Sequence, residues 1–153
     1  MSKQTEQHLL FNIPNNLIKN CSEALSSTKH TDAEIYDQVT TRYTISNDDL
    51  LKKIQLLCFY SNQLVDIKQA TVHYITYSLK GHYDIESHTD QCDNTIIIYL
   101  DKSDQIKETF YVENNAIQGD ELWKNGGLIM KHEAEHRGSF SGSGFRSVLC
   151  IFY

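Results

Sequence analysis

The 153-residue chain predicts an α+β fold, helices first and a β-rich body after them. Three observations carry this. Apolar residues recur at helical spacing up to Cys58. After about residue 68, runs rich in β-branched and aromatic residues alternate with Gly, Asn and Asp clusters. No internal repeat, charge block or Pro- or Ser-rich linker divides the chain.

The first helix is read from Pro14, which suits a first helical turn, and from Leu17, Ile18, Cys21 and Leu25 behind it. A second follows Ser46 or Asn47 as N-cap, with Asp48 and Asp49 in the first turn. Its apolar stripe is Leu50, Leu51, Ile54, Leu57 and Cys58. The strand-like stretches are 70–78, 94–100, 109–112, 127–131 and 145–153, with turn-rich separators at 80–84, 91–94, 114–120, 125–127 and 138–144. Six to eight short strands with helices packed on one face imply a β-sandwich or barrel. The chain thus reads as one domain over 1–153, with a helical support at about 10–65 and a barrel at about 68–153.

Composition narrows the function classes. A 40% apolar content with a single proline excludes a disordered chain. A net charge of −6 gives no overall attraction to nucleic acid or to an anionic membrane. No apolar run approaches the roughly 18–20 residues needed to span a bilayer. The start, Met1 to His8, has no apolar stretch behind its charges, so no signal peptide and a cytoplasmic location are expected. Cys21, Cys58, Cys92 and Cys150 form no close pair, which fits free thiols better than a zinc site.

Two constellations carry chemistry. In His88-Thr89-Asp90, an extended chain would project residues i and i+2 to one face, so an imidazole and a carboxylate share one space. A third donor from His136 would complete two histidines and one carboxylate, the donor set of non-haem Fe(II) oxygenases. Arg146 follows at the start of an apolar final strand, and its planar guanidinium suits a carboxylate held by two hydrogen bonds. A competing register overlaps these residues. His132-Glu133-Ala134-Glu135-His136 spells the HExxH of zinc proteases. That motif needs a helix and a downstream third ligand, yet glycines follow at 138, 142 and 144, and no His, Asp or Glu lies beyond His136.

The ordered run Tyr77, Gly81, His88-Thr89-Asp90, Ile98-Tyr99-Leu100-Asp101, Glu108-Thr109-Phe110, Gly126-Gly127-Leu128-Ile129, His136 and Gly144-Phe145-Arg146 resembles the Fe(II)/2-oxoglutarate-dependent dioxygenases, in particular their prolyl-hydroxylase-like branch. The likeness covers residues 70–153. It implies a double-stranded β-helix, the jelly-roll or cupin-like barrel, and catalysis with Fe(II), 2-oxoglutarate and O2, with ascorbate as a candidate stimulant. By position it implies His88, Asp90 and His136 as iron ligands and Arg146 as the anchor of the C5 carboxylate. Tyr77, Tyr99 and Cys150 fall where the branch lines the cosubstrate pocket. The chain departs from the branch in three places: a long stretch from Gly81 to His88, Ile106 and Lys107 in place of two glycines, and Cys150 where a hydroxyl residue is usual.

The resemblance leans towards hydroxylation of a prolyl residue in a peptide or protein, with a free amino acid or other small metabolite as the alternative. The segments Lys80–Ser87 and Thr31–Thr44, polar and carrying Tyr83, Tyr36 and Tyr43, are expected to be loops that close over the substrate. His82 and His132 are expected at the surface or just outside the site, and Trp123 in packing.

Overall fold

A computed structural model describes residues 7–31 and 33–153. Most of the N-terminal stretch read as lacking a signal peptide lies outside those residues. Among the described residues no helix is long and apolar enough to cross a membrane. The elements are β1 (His8–Asn12), α1 (Asn15–Ser27), β2 (Ala33–Ile35), β3 (Thr40–Thr44), α2 (Asp48–Cys58), β4 (Thr71–Lys80), β5 (Tyr83–His88), β6 (Asn94–Lys102), β7 (Lys107–Val112), β8 (Asn115–Gln118), α3 (Gly119–Asn125), β9 (Gly126–Lys131), β10 (His136–Ser141) and β11 (Ser143–Phe152).

Two antiparallel sheets face each other. The larger has the order β1-β9-β6-β11-β4-β3-β2 and the smaller β5-β10-β7-β8. From β4 onward the chain steps back and forth between the sheets, and this winding is a double-stranded β-helix. The fold is therefore the α+β barrel with helices on one face that the sequence implied.

The helices pack where their stripes dictate. Asn47 caps α2 by accepting from the Leu50 amide at 3.0 Å, and α2 buries Leu50, Ile54, Leu57 and Cys58. The helix α1 buries Ile18, Cys21 and Leu25. Both lie on the outer face of the large sheet, against Ile96, Ile98, Leu149 and Ile151. The other face of the same strands meets the small sheet through Ile97, Tyr99 and Val148, opposite Phe110, Val112 and Phe140. A strand covered on both faces reads as an unbroken apolar run, which is why β6 is Thr-Ile-Ile-Ile-Tyr-Leu rather than an alternating strand.

The support region is not purely helical. The strand β1 pairs with β9, with Phe11 opposite Gly127. A Cβ at Gly127 would meet the Phe11 ring at 2.3–2.7 Å, so only glycine admits that ring. Most of the segment expected as a loop, Thr31–Thr44, is the hairpin β2–β3 on the edge of the large sheet. The segment expected as a lid, Lys80–Ser87, is the β4–β5 hairpin, turned at Gly81 with φ +100°. The stretch 138–144, read as a separator, supplies most of β10 and the turn into β11. Its glycines hide a strand because Gly138 leaves space for the Phe140 ring, which lies about where a Cβ would make contact at 3.1 Å.

Candidate metal centre

The strand β5 ends at His88, Asp90 lies two residues beyond it in the connection to β6, and His136 opens β10 opposite His88. This pairing brings the three donors together: His88 Nε2 is 3.5 Å from Asp90 Oδ1 and His136 Nε2 is 3.4 Å from Asp90 Oδ2. All three donor atoms lie within 4.8 Å of one another, a grouping able to hold one metal ion.

Both imidazoles are oriented from behind. His88 Nδ1 lies 2.8 Å from the Glu86 carbonyl and His136 Nδ1 lies 2.9 Å from the Ala134 carbonyl. A carbonyl only accepts, so each Nδ1 carries a proton and each Nε2 is directed to the shared space. Thr95 donates its hydroxyl to Asp90 Oδ2 at 2.7 Å. Burial opposes the charge on Asp90, but the adjacent His136 and His88 imidazoles and the Thr95 hydroxyl outweigh it and hold the carboxyl well below the usual range. The adjacent Asp90 carboxylate raises His88, against burial. His136 is 6% exposed and His88 46%, so the triad is closed on one side and open on the other.

The triad lines a cavity of about 440 Å³ between the sheets, walled by Ile97, Phe110, Phe140 and Val148. Tyr77, Tyr99, Cys150 and Arg146 line it too. Burial pushes the Tyr77 phenol up to about 12 and the Cys150 thiol up to about 12, so both remain protonated near neutrality. The Tyr99 hydroxyl is buried without a hydrogen-bond partner among the described residues, and burial raises it as well.

Arg146 is placed differently from a free carboxylate anchor. Its Nε donates to Glu108 Oε1 at 3.0 Å and its Nη2 to Oε2 at 2.8 Å. Their side chains are 5% and 1% exposed. Burial works against the Arg146 charge, and Glu108 beside it more than compensates. Trp123, expected only to pack, donates its indole N–H to Glu108 at 2.6 Å. The role of Glu108 escaped the reading of its motif. The available signal was its place in Lys107-Glu108-Thr109-Phe110-Tyr111-Val112, on the same face as Phe110 and Val112, where a buried acid requires a cation.

The remaining candidates fall outside the triad. His82 is exposed and paired with Asp84 at 2.8 Å. His132 and Glu133 lie in an exposed turn after β9, so the HExxH residues form no helix and cannot present both histidines on one face. His73 lines the cavity on β4 and is lowered chiefly by burial. At the mouth, Tyr83 donates its hydroxyl to Asp37 at 2.8 Å, joining the β4–β5 hairpin to β2–β3. An open groove of about 510 Å³ runs there past Tyr36, Asp37, Tyr83 and Glu86 to His88.

Barrel and donor set together define a class of architecture, a double-stranded β-helix with two histidines and one carboxylate facing its interior. No protein-family model matches the chain, and no curated protein matches it in sequence. Solved structures do match the fold. A prolyl-4-hydroxylase from Pseudomonas putida aligns with a TM-score of 0.59 at 11% identity, over 95% of this chain and 89% of its own. The dioxygenase for auxin oxidation 1 from Arabidopsis thaliana, solved with 2-oxoglutarate, aligns with a TM-score of 0.56 at 12% identity, over 92% and 79%. The Fe(II)/α-ketoglutarate-dependent dioxygenase TqaL gives 0.53 at 12%, over 96% and 82%. At these identities the likeness is one of fold.

Proposed function

We propose that this protein is an Fe(II)- and 2-oxoglutarate-dependent oxygenase that hydroxylates a C–H bond, with release of succinate and CO2. The observation that carries the reading is the triad of His88, Asp90 and His136, in which both Nδ1 atoms are tied to backbone carbonyls and both Nε2 atoms converge on one carboxylate. Two imidazoles and one carboxylate suit Fe(II) and leave coordination positions free. Bound there, the metal supplies O2 activation coupled to decarboxylation of the cosubstrate.

The chain's own residues do the rest. The backbone carbonyls of Glu86 and Ala134 hold the two rings, and Thr95 fixes Asp90. The far carboxylate of 2-oxoglutarate is assigned to Tyr99, Tyr77 and Arg146. The unpartnered Tyr99 hydroxyl supports this, because a buried hydroxyl without a partner costs about 1–3 kcal/mol until one arrives. Phe110, Phe140, Ile97 and Val148 keep water from the space between.

For the substrate we infer a prolyl residue of a peptide or protein. The open groove that leads past Tyr36 and Tyr83 to His88 supports an extended chain crossing the mouth, and the barrel of a prolyl-4-hydroxylase shares the fold. Metal analysis after anaerobic loading tests the centre. His88→Ala, Asp90→Ala and His136→Ala should each lose Fe(II) and succinate formation, while His132→Ala keeps both. Equal metal loss in His132→Ala would refute the triad. Mass spectrometry of a reacted peptide pool tests the substrate: one added oxygen atom on prolyl residues is expected. Turnover with free amino acids alone would reassign it.

A further inference from the structure

We propose that Glu108 makes the far end of the cosubstrate pocket indifferent to charge. On this view, 2-oxo acids ending in an uncharged hydrogen-bonding group bind about as well as the dicarboxylate. The inference rests on the oxygenase reading and concerns the one cation that reading gives to the cosubstrate. Arg146 meets Glu108 through two parallel hydrogen bonds of 3.0 and 2.8 Å. Its guanidinium also rests over the Tyr77 and Phe140 rings, at 4.7 and 4.6 Å. Glu108 is held in turn by the Trp123 indole at 2.6 Å, and with its side chain 1% exposed it has almost no contact with water.

A carboxylate arriving beside Arg146 therefore meets a neutral pair rather than a free cation. The resulting cluster of two carboxylates and one guanidinium carries a net negative charge out of water, and the second carboxylate offsets most of the attraction of Arg146. An amide or hydroxyl end escapes that repulsion. It can still accept from the remaining Arg146 N–H groups and pair with the unpartnered Tyr99 hydroxyl. Glu108 acts here as a positioning residue, through Arg146.

The test is binding to the anaerobic Fe(II)-loaded protein, read by the fluorescence of Trp123, the sole tryptophan, and by calorimetry. The probes are 2-oxoglutarate and its 5-amide. In the wild type the two Kd values should lie within about tenfold of each other, because the pair presents no net charge. Glu108→Gln should tighten 2-oxoglutarate by roughly tenfold or more while moving the amide by less than about threefold. A wild-type preference for the dicarboxylate above about a hundredfold, the discrimination of a free buried arginine, would overturn the proposal. So would a Glu108→Gln variant that weakens both acids equally or leaves their ratio unchanged. If that variant does not fold, the wild-type ratio alone decides. Binding of neither acid by iron-loaded wild type would bring down the oxygenase reading itself, and this inference with it.

Discussion

Replacing Arg146 by methionine keeps most of the side chain's bulk and removes its charge, so it isolates what the buried pair contributes. Glu108 would be left with the Trp123 indole as its remaining side-chain donor, in a position where its side chain is 1% exposed. Stranding a buried charge in this way costs about 3–5 kcal/mol, much more than an exposed pair contributes. The partner variant Glu108→Gln keeps an oxygen for the Trp123 N–H and carries no charge. Added to Arg146→Met, it should recover about 2 kcal/mol or more, since the two positions are in direct contact and their effects do not add. Urea unfolding of the metal-free protein followed by circular dichroism measures both, with an unchanged m-value required for the comparison. A loss below about 1 kcal/mol for Arg146→Met would refute the argument, because that is the range of exposed pairs. A double variant destabilised by the sum of the single effects would refute it equally.

Gly127→Ala should destabilise the fold by about 1–3 kcal/mol, because its Cβ would enter the Phe11 ring; an unchanged Tm would contradict the observed packing of β1 on β9. The amides of Thr40 and Val39 and the Tyr83 hydroxyl bind the exposed Asp37 carboxylate and lower it. A depressed carboxyl contributes stability above its unfolded value of about 3.9 and loses it as pH falls through its folded value. Limited proteolysis of the β2–β3 hairpin should therefore accelerate below about pH 4 in the wild type, whereas Asp37→Ala should be cut readily at every pH. Tyr83→Ala, which removes the Tyr83–Asp37 hydrogen bond at the groove, should lower hydroxylation of a peptide substrate at least about tenfold while leaving uncoupled 2-oxoglutarate turnover within about twofold, measured as succinate released with and without peptide. Equal loss of both activities would remove the groove from substrate binding.

Local pattern carried much of the architecture. The stripes Ile18, Cys21, Leu25 and Leu50, Ile54, Leu57 can be satisfied only by helices lying on an apolar surface, and the all-apolar β6 only by a strand covered on both sides. The i, i+2 spacing of His88 and Asp90 also needs nothing but an extended chain. Features of sequence-distant pairing were illegible. The edge hairpin β2–β3 is short and polar and becomes a strand pair by hydrogen-bonding to β4, while β10, which falls mostly in the glycine-marked stretch 138–144, becomes a strand between β5 and β7. His136 reaches His88 through that same pairing. Which buried cation answers Glu108 is decided only when β7 and β11 face each other across the barrel. Desolvation then leaves Glu108 and Arg146 each the other's necessary partner, and no spacing along the chain encodes which buried charge will stand opposite which.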